Sequence, residues 1–342
     1  MSDRLLEKVL NGMDLTREEA GRLMERMIDG GLTSAKTASW LTALRMKGES
    51  VEELAGFAEV LRQRAVRVHL TDPDAVDTCG TGGDGGRTFN ISTAAAIVAA
   101  SAGVTVAKHG NRAVSGKTGS ADVLEALGVE IPQHEKLAER MLRKTGIAFL
   151  HAPLYHRALK RVGPIRRELG FRTVFNLLGP LVNPAGVKRQ LVGVFHPRLT
   201  SVLARVLGEL GAHRAMVVSG FDGLDEITVT GPSLVSEWRD GRVYTYEVSP
   251  EDVGLSRWRP EEIRADSPRE SAHMILKVLG GESGAPRDAV LLNAGAVLMM
   301  ADRASTLEEG VRLAADAVDS GRALRRLENW ARISREVRHI VS

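Results

Sequence analysis

Cysteine is nearly absent: Cys79 is the single one in 342 residues. An intrachain disulfide framework and a cysteine-rich zinc site are both excluded. Aromatic residues are scarce, at 4%, which leaves little material for stacking nucleic-acid bases. Charge of one sign is not in excess. The 46 Lys and Arg stand against 43 Asp and Glu, a net of +3, whereas polymer-binding proteins cluster a surplus. Nucleic acid is therefore not an expected partner. Long hydrophobic runs are also missing. The small apolar stretch Ala94–Ala100 is far shorter than a bilayer crossing requires. The opening MSDRLLEKVLNGMD is charged, unlike the apolar core of a secretory leader. These readings place the chain in the cytoplasm, with no membrane partner.

What is present is ordinary globular material, 43% hydrophobic and 26% charged, enough to build a sizeable core. The first part of the chain reads as helices only. Thr16 with Glu19 and Ser50 with Glu53 have capping-box spacing. Gly30-Gly31 and Gly48 suit helix ends. Leu23, Met24, Met27 and Ile28 form one apolar stripe, and Leu54, Phe57 and Leu61 another. The pattern changes at Thr71-Asp72-Pro73-Asp74. Strand-like runs at Ala75–Asp77, Val104–Ala107, Ile147–Leu150, Gln190–Phe195 and Arg214–Ser219 then alternate with helical ones such as Ser92–Ala102 and Ser120–Leu127. Asp240-Gly241 inside Leu234–Val248 signals a hairpin, and the chain returns to helices over Asp288–Ala301, Thr306–Asp319 and Ala323–Arg335. The fold class is α/β: a small all-helical N-terminal domain (1–70) and a larger α/β domain (71–342) with a mostly parallel central sheet flanked by helices.

Three loops after strands carry the candidate chemistry. In Gly80-Thr81-Gly82-Gly83-Asp84-Gly85-Gly86, five of seven residues are glycine. Such a loop lets backbone amides approach an anion closely. Asn90-Ile91-Ser92-Thr93 then opens a helix, whose N-terminus adds amides and hydroxyls to an anion site. The loop is neither a Walker A motif nor G-x-G-x-x-G. Cys79 beside it reads as packing. The second loop, Lys108–Ser120, holds Lys108, Arg112 and Lys117 with Asn111, Ser115, Thr118 and Ser120, a composition suited to a polyphosphate. The third, Asp222-Gly223-Leu224-Asp225-Glu226, places adjacent carboxylates where they can hold Mg²⁺ against a phosphate. Arg166 or Arg167 could pair with a substrate carboxylate, and Asn176–Pro184 reads as a turn-rich hinge or domain connection. No G-x-S-x-G elbow or H-E-x-x-H helix occurs. His109 and His151 could serve as acid or base, but nothing fixes a triad. Positioning and charge neutralisation fit better than covalent catalysis.

Taken together, the GTGGD loop, Lys108–Gly110 with Asn111-Arg112, the run Gly119–Gly128, the segments Arg166–Asn176 and Gly179–Pro184, and Asp225-Glu226 resemble the anthranilate phosphoribosyltransferase family, in order over nearly the whole chain. The resemblance implies a homodimer whose small domain also takes in helices from about 165–186. It implies Mg²⁺-dependent transfer of the phosphoribosyl group of 5-phosphoribosyl 1-diphosphate (PRPP) to anthranilate, in tryptophan biosynthesis. Carried over by position, PRPP would meet Gly80, Gly83, Asp84, Thr88, Asn90, Ile91, Ser92, Thr93, Lys108, His109, Gly110, Asn111, Arg112, Ala113, Val114, Ser115, Gly116 and Ser120. Anthranilate would meet Gly80, Asn111, Arg166 and His109, with Arg166 facing its carboxylate. Ser92, Asp225 and Glu226 would handle Mg²⁺. Two other readings stay open: a pyrimidine nucleoside phosphorylase of the same architecture, and a non-catalytic, nucleic-acid-binding paralogue.

One departure stands out. The family loop usually reads Val-Ser-Ser-Lys-Ser-Gly-Ser, and here Gly116 and Thr118 replace two serines. The residue 116 amide can still donate to phosphate, so the loss of one hydroxyl should be modest. Gly116→Ser should leave PRPP affinity unchanged or tighten it in a calorimetric titration; a collapse of binding would contradict this account of the loop.

Overall fold

The computed structural model describes residues 2–82, 88–112 and 119–339. Among these, seven strands form one sheet in the order β3-β2-β1-β4-β5-β6-β7. They are β1 Val76–Asp77, β2 Val106–Gly110, β3 Ile147–His151, β4 Arg189–Gly193, β5 Arg214–Gly220, β6 Ser233–Arg239 and β7 Arg242–Val248. The first five run parallel, and β6 and β7 are antiparallel. The helix Ile91–Ser101 carries β1 outward to β2, whereas Leu199–Glu209 carries β4 the other way to β5. The chain therefore changes direction between β1 and β4. In open α/β sheets the crevice beyond such a switch point is where ligands bind.

Sheet alternation divides the interior into two cores. On β5, Met216 and Val218 point into a core with the helices Ile91–Ser101, Ala285–Met300 and Leu307–Asp319. Ala215 and Val217 point the other way, as successive strand residues must. That second core also takes Val192 and Val194, the N-terminal helices Arg17–Asp29, Ser34–Lys47 and Val51–Arg64, and Phe175, Leu177, Leu178 and Leu181. The expected apolar stripes are buried within it. Both capping boxes form, with Thr16 Oγ1 and Ser50 Oγ accepting from the amides of Glu19 and Glu53. Gly30 ends its helix in the left-handed conformation, at φ 83°, where a Cβ would be penalised. Asp240 and Gly241 both take positive φ, 53° and 75°, as a type I′ hairpin requires. No described helix is long and apolar enough to cross a membrane.

Two expectations need correction. Asn176–Pro184 is not a hinge throughout, because Phe175–Leu181 is a helix with Pro180 in its last turn. Burial of Phe175, Leu177, Leu178 and Leu181 outweighs the breaker signal of Gly179-Pro180. Lys108–Gly110 is also not loop. It extends β2, pairing with β3 as far as Gly110 opposite His151. The hydrophobic signal ends at Ala107, but the polar side chains that follow find buried partners and stay in the sheet.

Candidate functional site

A cleft of about 330 Å³ opens beyond the carboxyl ends of β1, β2 and β4, with the helical layer as its opposite wall. Gly80, Thr88, Asn90, Ile91, Ser92, Lys108, His109, Gly110, Asn111, Arg112, Ser120, Arg166, Asp225 and Glu226 all line it. Thr93 sits behind the lining, buried in the first turn of its helix. Gly83, Asp84, Ala113, Val114, Ser115 and Gly116, with Lys117 and Thr118, lie outside the described residues.

The carboxylate loop is pressed against the glycine loop. A Cβ on Gly193, at the end of β4, would fall 1.6 Å from the Asp225 carbonyl oxygen. A Cβ on Gly80 would fall 2.9 Å from Asp225 Oδ2. Only glycine permits this approach. The Gly82 amide donates to Asp225 Oδ2 at 2.9 Å, and the Thr81 amide to the Gly193 carbonyl at 2.8 Å. From behind, Asn293 accepts from the Ile227 amide at 3.0 Å and donates to its carbonyl at 2.8 Å. Asp222 accepts from the Leu224 amide and from Thr228 Oγ1, which shapes the turn.

The helix Ile91–Ser101 points its N-terminus into the same space. Asn90 caps it, accepting from the Thr93 amide at 3.0 Å, and its Nδ2 donates to Ser120 Oγ at 3.2 Å. The cap thereby joins the first loop to the end of the second. Arg112 is not an uncommitted cation. Its guanidinium is paired with Asp122 at 2.8 Å and Glu125 at 2.5 Å.

Beneath the cleft lies a buried polar hub. Asp77 Oδ1 accepts from the His109 amide at 2.9 Å, and Oδ2 from Asn183 Nδ2 at 2.8 Å. Burial pushes the Asp77 carboxyl up to about 6, against the pull of Asn183 and Lys108. Lys108 is only 1% exposed. Its Nζ donates to the Thr78 carbonyl at 2.6 Å, to Thr78 Oγ1 at 3.2 Å and to Ser92 Oγ at 3.1 Å. Burial lowers its pKa. Lys108 thus grips Ser92 from below rather than reaching into the cleft as a mobile loop cation. Burial pushes the Cys79 thiol up, so it is a poor nucleophile, as its sequence context indicates.

The far wall is apolar and cationic. Arg166 is half-buried, its Cζ 5.4 Å from the Phe175 ring centroid. Burial alone lowers its pKa, so an anion that enters gains a partly desolvated partner. His109 Nδ1 lies 3.1 Å from the Gly179 carbonyl and is therefore the protonated ring nitrogen. His156, which sequence reasoning missed, faces it with ring centroids 5.3 Å apart. Burial holds His109 well below 6.5 and His156 at about 4. Arg172, Phe175 and Asn183 were not assigned to the site either: they lie within the segments Arg166–Asn176 and Gly179–Pro184, but only the fold puts the first two on the cleft wall and the third against Asp77. His151 sits at the end of β3, outside the cleft lining.

Fold and cleft define a class: an α/β protein whose parallel sheet presents a glycine-and-helix anion cradle, closed on one side by a helical bundle. Two family models agree. One, described as glycosyl transferase family, helical bundle domain, matches residues 3–65, and the other, glycosyl transferase family, a/b domain, matches residues 72–324. The anthranilate phosphoribosyltransferase of Symbiobacterium thermophilum is 54% identical over 98% of this chain and 98% of its own. The crystal structure of the Thermus thermophilus enzyme of that name superposes with a TM-score of 0.91 at 41% identity, covering 96% of this chain and 99% of its own. The Saccharomyces cerevisiae enzyme in complex with PRPP and Mg gives 0.87 at 28% identity, with 97% of each chain covered. This chain belongs to the anthranilate phosphoribosyltransferase family.

The two imidazoles give a pH signature. Because His156 titrates at about 4 in the fold and at 6.5 when free, the unfolded chain binds more protons between those values. Its contribution is full above pH 6.5 and is lost as pH falls through the window. The raised Asp77 acts in the opposite sense over a similar range. In urea titrations from pH 7 to 4.5, His156→Phe should therefore lose less stability than the native protein, by about 1–3 kcal/mol. Equal losses would mean that His156 is not held neutral by the fold.

Proposed function

We propose that this chain transfers the 5-phosphoribosyl group of PRPP to the amine of anthranilate and releases diphosphate, with Mg²⁺, as a step of tryptophan biosynthesis. One observation carries the reading: a single cleft holds an anion cradle beside paired carboxylates on its sheet side and Arg166 against an aromatic face on its helical side. A phosphorylated sugar and a carboxylated aromatic acceptor match those two halves. Near-full-length identity of 54% to a relative of that name supports it. Cys79 as an unpaired thiol is in keeping with a reducing, cytoplasmic setting.

The donor set fits magnesium. Asp225 and Glu226 carboxylates and the Ser92 hydroxyl offer hard oxygen ligands in one cleft. The Gly82 amide already orients Asp225, and Lys108 orients Ser92. Bound there, the ion would supply neutralisation of the charge that grows on the leaving diphosphate. The loop amides at Gly80–Gly82 and the Asn90–Thr93 helix turn receive phosphate oxygens. Arg166 pairs with the anthranilate carboxylate and turns its amine toward the sugar, with Asn111 and Gly80 at the same end. The amine nitrogen attacks C1 of the ribose, the C1–O bond to diphosphate breaks, and the amine proton leaves to water. An arylamine is neutral and nucleophilic at pH 7, so no strong base is required. The neutral state of His109 and His156 also keeps cations away from a sugar that gathers positive charge in the transition state.

The division of labour follows the second core. Residues 1–70 act with the helices from about 165–186 as one lobe, and the rest of 71–342 as the other; shared burial of Leu54, Phe57, Leu177 and Leu181 supports this. A homodimer is the assembly in keeping with the family, and exposed Leu10, Met13 and Met46 give the helical lobe apolar surface for it.

Anthranilate fluorescence tests the reaction. Signal should fall only when protein, PRPP and Mg²⁺ are all present, with one diphosphate released per anthranilate consumed. Asp225→Ala with Glu226→Ala should cut turnover at least about a hundredfold while circular dichroism is unchanged. No loss of signal with a folded, PRPP-binding protein would point to another acceptor, and near-normal turnover in the double variant would sink the metal assignment.

A further inference from the structure

Four successive carbonyls at the end of the Phe175–Leu181 helix are each taken by a side chain from a different element. The Gly179 carbonyl accepts from His109 Nδ1 at 3.1 Å, and that of Pro180 from Gln190 Nε2 at 2.8 Å. The Leu181 carbonyl accepts from Arg62 Nε at 2.7 Å, and that of Val182 from the ring of His156. The last turn of any helix leaves its carbonyls unsatisfied. Here they become the handles by which the strip is set. Gly179, Pro180 and Val182 line the cleft beside Arg166, and the two captured rings line it too.

Three of these donors belong to the α/β part, on β2, on β4 and just after β3. Arg62 differs, because it comes from the N-terminal helix Val51–Arg64 and is not itself part of the cleft lining. Its Nη1 also donates to the carbonyl of Leu210, the C-cap of the Leu199–Glu209 helix, at 3.0 Å. Two helix C-termini, each with partial negative charge, therefore converge on one half-buried guanidinium. The planar fork suits this, since two carbonyls in different directions need two separate N–H groups. No other residue of the row joins the N-terminal helices to the strip.

We propose that Arg62 is a positioning residue for the acceptor substrate: by fixing the Leu181 carbonyl between two helix ends, it sets the wall formed by Gly179–Val182 and the two histidines against which the aromatic acceptor lies. This rests on the transferase reading above. The PRPP cradle is built from the opposite side, by the glycine loop, the Asn90 cap and the Asp225 loop, so it does not depend on Arg62.

The test separates the two substrates, using the full-length protein. R62M should raise the KM for anthranilate about tenfold, the scale of one lost charge-assisted hydrogen bond. The PRPP Kd, measured by calorimetry with Mg²⁺, should stay within about twofold of the native value. R62K should raise the anthranilate KM less, because an ammonium can hold the Leu181 carbonyl but lacks the fork that also reaches Leu210. An unchanged anthranilate KM in R62M, or a parallel weakening of both substrates, would overturn the proposal. If R62M does not fold, R62K decides alone: a selective rise in anthranilate KM supports the role, and a native or parallel response overturns it. A native protein that binds PRPP but never consumes anthranilate would overturn the transferase reading and this role with it.

Discussion

The approach of Asp225 to Gly193 is the constraint on which the site depends. No side chain fits between the end of β4 and the Asp225 backbone. The carboxylate loop can therefore lie down over the crevice at the strand switch point and receive the Gly82 amide. Strand β4 serves every layer at once. Leu191 enters one core, Val192 the other, Gln190 holds the Pro180 carbonyl and Gly193 admits Asp225. A strand of five residues thus fixes the relative placement of both halves of the cleft.

Charge in the cleft is arranged by burial as much as by pairing. Lys108 and Asp77 lie under the floor, bonded to Thr78, Ser92, Asn183 and the His109 amide. They shape the cradle from below. The histidines on the opposite wall are kept neutral because each gives its one ring proton to a backbone carbonyl and burial disfavours a second. Arg166, beside Phe175, and Arg172 remain as cations on that wall. The outcome is a cleft with anion-seeking ends and an uncharged middle, which suits a donor and an acceptor that both carry negative charge and react through a sugar that becomes positive.

Much of this was legible from local chemistry. The glycine loop, the Asn90–Thr93 helix start and the Asp225-Glu226 pair declare themselves by residue type and by position after strands, and all of their described members but Thr93 line one cleft. The capping boxes and the Asp240-Gly241 turn are likewise local, and they form as their spacing indicates. What was not legible depends on contacts distant in sequence. Lys108 and His109 look like loop residues until Thr78, Asp77 and Gly179 are brought to them by the sheet. Gly179-Pro180 looks like a break until Phe175, Leu177, Leu178 and Leu181 around it are buried. Arg112 looks like an isolated loop cation until Asp122 and Glu125, on the helix that follows, are seen to pair with it at the edge of the cleft. His156 has no motif around it, and Asn183, though within the Gly179–Pro184 segment, meets Asp77 only in the tertiary structure.

The most direct test of the account is the turnover and PRPP affinity of Gly193→Ala. The added methyl cannot coexist with the Asp225 carbonyl, so the carboxylate loop must move by about an ångström or more while the sheet stays intact. A displacement of that size should reduce turnover about a hundredfold and weaken Mg²⁺-dependent PRPP binding, with circular dichroism unchanged. Native turnover and native PRPP affinity in this variant would show that the placement of Asp225 over the glycine loop is not what builds the site.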